Sequence, residues 1–176
     1  MFALIFGLSF LANAQDVQKD QPKGYQFTDI KRLPATSVKD QARAGTCWSW
    51  SGISFFESEM IRMGKEPIDL SAVRHAYSDK ATKFVRLHGN MNFAVGGAFC
   101  DVMHVIKNYG IVPMDVYKGL NYGEPNHAFG EIDDVLAGYI NAVIKNSNKK
   151  LSTAWKKGFD GILDAYLGEE PEKFEY

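Results

Sequence analysis

Apolar residues return at helical spacing in successive stretches of the chain. In residues 47–63, Ile53, Phe56, Met60 and Met63 fall on one face, and Gly64 flanked by Arg62 and Lys65 suits a helix C-terminus. Residues 99–109 repeat the pattern through Phe99, Val102, Met103 and Ile106, stopped by Gly110 and Pro113, with His104 off the apolar face. The clearest periodicity is that of Ile132, Val135, Leu136, Tyr139, Ile140, Val143 and Ile144. Glu131, Asp133 and Asp134 crowd the first turn of this helix and Lys145 its last, which matches the helix dipole. A further helix follows through Leu151, Trp155, Phe159, Ile162, Leu163 and Tyr166, with the polar residues 146–150 as the hairpin between the two. Asp133 and Asp134, being adjacent, face different directions on a helix and do not make a carboxylate pair.

Between these helices the pattern breaks. Residues 119–129 are turn-rich around Pro125 and read as a loop, with His127 as a solvated loop residue. Residues 25–39 alternate only loosely and contain Pro34, which predicts an extended lead-in. Residues 15–24 are polar, with Pro22 and Gly24, and read as a linker. Before them, Met1 to Ala14 is an apolar run ending in Ala-Asn-Ala, too short to span a bilayer and suited to a signal peptide cleaved after Ala14, although no basic residue precedes the run. Export to a periplasm or to the outside of the cell is the expectation, with no membrane attachment after cleavage. A buried N-terminal helix is the alternative.

Composition narrows the classes. With 176 residues, 45% of them hydrophobic and 13% aromatic, the chain can build a core. Its 20 basic and 21 acidic residues give a formal charge of -1, without the electrostatic footprint of a nucleic-acid binder. Two cysteines do not make a disulfide framework. Cys100 and His104, four apart on a predicted helix, lack the further ligands of a zinc site, so neither metal nor cofactor is expected. Cys100 reads as an ordinary helix residue.

Cys47 is different. It opens the first predicted helix, where unpaired N–H groups and the macrodipole favour an anion, and a thiol attacks a carbonyl only as thiolate. Gln41 stands six residues earlier in the string Gln-Ala-Arg-Ala-Gly-Thr-Cys-Trp. The negative oxygen that forms after attack needs preorganised donors, and the Gln41 carboxamide with the N–H of Cys47 supplies two. A lone helical cysteine is more often a small buried residue, and that alternative stands for Cys47 taken alone.

The wider string resembles papain-like cysteine peptidases. Ala44-Gly45-Thr46-Cys47-Trp48 is similar to the signature around their nucleophile, with the first cysteine of that signature replaced. Val38-Lys39-Asp40-Gln41 resembles the family's lead-in, Ile68-Asp69-Leu70-Ser71 its entry to the next helix, and Gly96-Gly97 its substrate wall, where glycine lets a peptide backbone approach closely. The resemblance implies a catalytic Cys47, an oxyanion donor Gln41, substrate-binding Gly96 and Gly97, and Trp48 packed beside the site. Ala44 and Ala94 stand where papain has a disulfide pair. Together with residues 86–117 this resembles the bleomycin hydrolase and aminopeptidase C branch, which implies an aminopeptidase acting on peptides and homo-oligomers in the form of rings.

The expected fold is mainly α, the helical left-hand domain of the papain-like fold, whose intact form is α+β, with the strand-rich right-hand domain missing. The expected division is a signal peptide at 1–14, linker and lead-in at 15–37, and the partial peptidase domain at 38–176. The family takes its catalytic His and Asn from that second domain, far downstream of the cysteine. Here His75, His88, His104 and His127 all lie in the first-domain stretch, none in the apolar-flanked strand context of the base, so no catalytic His is assigned. The expectation is an N-terminal fragment of a longer enzyme, close to inactive alone. After Leu70-Ser71 the chain reaches Arg74-His75 quickly, where the family continues with several apolar residues, and this shortening is expected to loosen the domain. A non-catalytic peptide-binding remnant and a thiol-reactive redox protein are the alternatives.

Overall fold

The computed structural model describes residues 24, 25, 27–148 and 150–172. The expected signal peptide, most of the linker and the last residues, Phe174 to Tyr176, lie outside them. Contacts divide the chain between Arg32 and Leu33. In the first unit the described residues form no helix or strand; the Tyr25 and Phe27 rings are 6.3 Å apart and Arg32 is 3.6 Å from Asp29.

The second unit is mainly α. Among the described residues it has five helices and one two-stranded sheet, in the order α1 (Cys47–Arg62), β1 (Leu70–Ser71), α2 (Val73–Arg86), α3 (Phe99–Tyr109), β2 (Val112–Pro113), α4 (Gly130–Ile144) and α5 (Ala154–Leu167). β1 and β2 pair antiparallel, Leu70 opposite Pro113 and Ser71 opposite Val112. The pair ties the ends of α1 and α3 together, because α1 leads into β1 and α3 into β2.

α2 sits between two apolar clusters. On one side Ile53 of α1, Val102 and Val105 of α3, Leu70 and Ala76 pack together. On the other, Tyr77 and Phe84 of α2 meet Ile132, Leu136, Phe159 and Leu163 of α4 and α5. After the shortening at Ser71, α2 starts at Val73 and buries Ala76, Tyr77, Ala81 and Phe84. Ala76 faces the first cluster, and Tyr77, Ala81 and Phe84 face the second.

Four of the five helices lie where the periodicity placed them, and α2 was not among the expected ones; on α1 Ile53, Phe56 and Met60 share one cluster as expected, whereas the buried face of α3 is rotated. On α1 the buried residues are Ser49, Gly52, Ile53 and Glu57, while Met63 is 61% exposed. Gly52 lets α3 approach α1: a Cβ there would stand 2.8 Å from Val102 Cγ2 and 3.3 Å from the Phe99 ring, so α3 rides directly over it. On α3 the buried pair is Val102 and Val105, leaving Phe99 and Met103 at the surface, 42% and 52% exposed. The Asp101 carboxylate accepts the Ala98 N–H at 2.9 Å and fixes where α3 starts. α4 buries Ile132, Leu136 and Ile140 as its period requires. Leu151 lies ahead of α5 and is exposed, and Leu167 takes the final buried place on that helix.

Candidate active site

The loop that delivers Cys47 is held at each step. The Asp40 carboxylate accepts the Ala42 N–H at 2.8 Å, and Ala42 takes a positive φ of 51°. The next residue, Arg43, donates its N–H to the His127 carbonyl at 2.9 Å and pairs with Ala128, so the loop leans on the segment before α4. Ala44 is buried and donates to the Gln41 carbonyl at 3.2 Å. Gly45 has φ 64°, a left-handed value that suits glycine, and a Cβ there would stand 3.0 Å from Val95. The chain then enters α1 at Cys47, whose side chain is exposed.

Thr46 precedes the helix but does not cap it. Its Oγ1 accepts from Trp50 Nε1 at 3.2 Å, and its carbonyl takes the N–H groups of Ser49 and Trp50. Among the described residues nothing accepts the N–H of Cys47, one of the unpaired donors at the positive end of the helix. Gln41, half-buried at the other end of the same loop, has a side chain without a hydrogen bond to any described residue.

Two motifs far apart in sequence meet at the start of α1, through Trp48. Trp48 Nε1 donates to the Val95 carbonyl at 2.8 Å, and the Trp48 indole lies so close to Gly97 that a Cβ there would be 2.5 Å from the ring. Gly97 is therefore required by packing. Gly96 is exposed, with open space where its Cβ would be, so its freedom from a side chain serves nothing inside the chain.

On its other flank Cys47 lines an open groove of about 370 Å³ with Trp50, Ser51 and Ser54 of α1 and residues 35–39 of the lead-in. That wall is anchored by a residue that the sequence analysis did not single out. Glu57, fully buried, accepts from Thr36 Oγ1 at 2.5 Å and Lys39 Nζ at 2.6 Å through one oxygen and from the Leu70 N–H at 2.9 Å through the other. Lys39 also reaches Asp69 at 2.9 Å. Burial works against the Lys39 charge, but hydrogen bonds and attraction from Glu57 and Asp69 outweigh it and raise its pKa. The available signal was a glutamate one turn beyond Ile53, inside an apolar stripe.

His127 is not a solvated loop residue. Its ring is half-buried, edge-on to Trp50 and Phe129 at centroid distances of 5.4 and 5.3 Å. Nδ1 is buried without a hydrogen-bond partner among the described residues, and burial lowers the pKa of the ring. Its surroundings come from α1 and from the start of α4, which local polarity does not reveal. His75 pairs with Glu170 at 2.8 Å and stacks on Tyr109, and His104 pairs with Asp79 at 3.1 Å. None of the four histidines lines the Cys47 groove. Asp133 accepts from Tyr77 Oη at 2.6 Å while Asp134 is exposed, so the two carboxylates do point apart. Burial raises the Asp133 pKa, and the Tyr77 hydrogen bond opposes it.

Cys100 and His104 are both exposed on α3. Among the described residues no group of three or more His, Cys, Asp or Glu side chains could hold a metal ion, and no helix is long and apolar enough to cross a membrane. Comparison of the chain with protein-family models and with curated proteins gave no match.

Proposed function

We propose that the chain is the helical half of a papain-like cysteine peptidase of the bleomycin hydrolase and aminopeptidase C branch. Cys47 is the nucleophile, Gln41 the side-chain oxyanion donor, and Gly96 and Gly97 the wall for an extended peptide. The observation that carries this reading is the meeting of its two motifs: the exposed Cys47 opens α1, and the next side chain, Trp48, holds the Val95–Gly97 stretch against the same helix end.

The chemistry is that which the resemblance implies. The Cys47 thiolate adds to the substrate carbonyl, and the oxygen that becomes negative takes hydrogen bonds from the Cys47 N–H and the Gln41 carboxamide. Collapse expels the amine, which needs a proton, and leaves an acyl-thioester that water hydrolyses. No imidazole lines the groove to supply that proton.

An activated ester separates the two requirements, because p-nitrophenolate departs without a general acid. An aminoacyl p-nitrophenyl ester is expected to give a burst of one equivalent of p-nitrophenol with the wild type and none with Cys47→Ala. Equal bursts from both would remove the nucleophile role. The second reading, a non-catalytic peptide-binding remnant, is favoured by the lack of a histidine in the groove. It predicts peptide binding with no burst.

A further inference from the structure

The wall that carries Gly96 and Gly97 is held by a residue outside every motif considered above. Lys80, on α2, directs its ammonium at three consecutive carbonyls, those of Ala94 at 3.1 Å, Val95 at 3.3 Å and Gly96. An ammonium has three protons, and three carbonyls use them all. The same nitrogen lies 4.9 Å from the centre of the Trp48 ring, close enough for a cation–π contact. Trp48 in turn donates to the Val95 carbonyl and packs on Gly97. One cation therefore joins α2, the first residues of α1 and the glycine wall.

Three successive carbonyls turned toward one point cannot belong to a straight strand, since strand carbonyls alternate in direction. The segment must curl around Lys80, and the curl decides which backbone groups of Gly96 and Gly97 are left facing away. The Gly96 carbonyl is taken up inside the chain, whereas no described residue takes the Gly97 carbonyl. Burial lowers the Lys80 pKa, with Asp101 and Asp133 opposing it, so the loop carbonyls stand in for the water that this ammonium has lost.

We propose that Lys80 is a positioning residue for peptide recognition: by fixing the curl of residues 94–96 it presents the Gly97 backbone to an extended substrate beside Cys47. The inference rests on the peptidase reading and adds a residue to it that touches neither the substrate nor the thiol.

The test compares two electrophiles at Cys47 in a Cys100→Ser background: iodoacetamide, which needs no wall, and a dipeptidyl chloromethyl ketone, which does. With Lys80 intact, the peptidyl reagent reacts faster than iodoacetamide. Lys80→Met keeps the bulk over Trp48 but not the three donors. It is expected to cut the preference about tenfold, the worth of one backbone hydrogen bond to the ligand. The loss falls in the binding constant of the ketone, with its saturating rate and the iodoacetamide rate unchanged. Lys80→Arg, whose planar fork cannot converge on three carbonyls, gives an intermediate preference and carries the test should the Met variant not fold. A preference kept in full by both variants overturns the role of Lys80 and leaves the peptidase reading standing. No preference in the protein with Lys80 intact overturns both.

Discussion

Glu57 shows what a single residue can decide in this chain. It is a buried charge that holds a lysine, a threonine and a backbone N–H at once, and taking away one side of such a buried pair is costly because the other side is left unpaired. Glu57→Ala is expected to lower unfolding free energy by about 3 kcal/mol in urea denaturation. Asp69→Asn, at a side chain 47% exposed, should cost less than about 1 kcal/mol. His127 adds a pH term. Its folded pKa lies below the ordinary value near 6.5, so under that pH the unfolded chain binds a proton that the folded one resists. Stability is therefore complete above about pH 6.5 and is lost as pH falls below it. Melting curves from pH 7.5 to 5 should show this fall in the wild type and a shallower one in His127→Gln. At this scale the sequence was legible where chemistry is local: Cys47 opens its helix, whereas the packing that requires a glycine at 97 comes from Trp48, far away in the chain. Glu57, Lys80 and His127 were not legible, because each owes its role to partners brought by other elements.

At the scale of elements, periodicity located four of the five helices and missed α2. α3 coincides with the expected residues 99–109, and α1 ends at Arg62, one residue before expectation. Which face is buried was less legible on α3, where Val105 is buried while Phe99 and Met103 lie at the surface, and apolar counts take no account of a glycine that admits a neighbouring helix. Gly52 and Gly161 separate the two effects. Both lie inside helices, where glycine costs about 1 kcal/mol relative to alanine. Gly161 has open space around its absent Cβ, so Gly161→Ala should stabilise by up to about 1 kcal/mol. At Gly52 the added methyl meets Val102 and Phe99, and Gly52→Ala should destabilise by about 1–3 kcal/mol. Opposite signs in chemical denaturation are the expected result; two gains would mean that α3 does not rest on α1 at Gly52. The short sheet was not foreseen, since two-residue strands leave no alternation to read.

For the whole molecule, the mainly α architecture was legible from the helical stretches alone. The candidate site depends on tertiary placement: only a resemblance linked Gly96 and Gly97 to Cys47, and what the packing adds is the contact of Gly97 with Trp48. On the proposed reading Cys47 is acylated by an activated ester, while among the described residues no imidazole lines the groove to protonate an amine leaving group. Hydrolysis of an aminoacyl anilide should stay at background while the p-nitrophenyl ester acylates, and His127→Gln should change neither. Anilide turnover well above background would show that a proton donor reaches the groove.

The central claim is that Cys47 in particular is the nucleophile, and Cys100, also exposed, is the control within the same molecule. After one ester burst, quenching and peptide mapping by mass spectrometry locates the acyl group. The account predicts one acyl adduct on the peptide containing Cys47 and none on that containing Cys100. Acylation divided evenly between the two cysteines, or found at Cys100 alone, would contradict it.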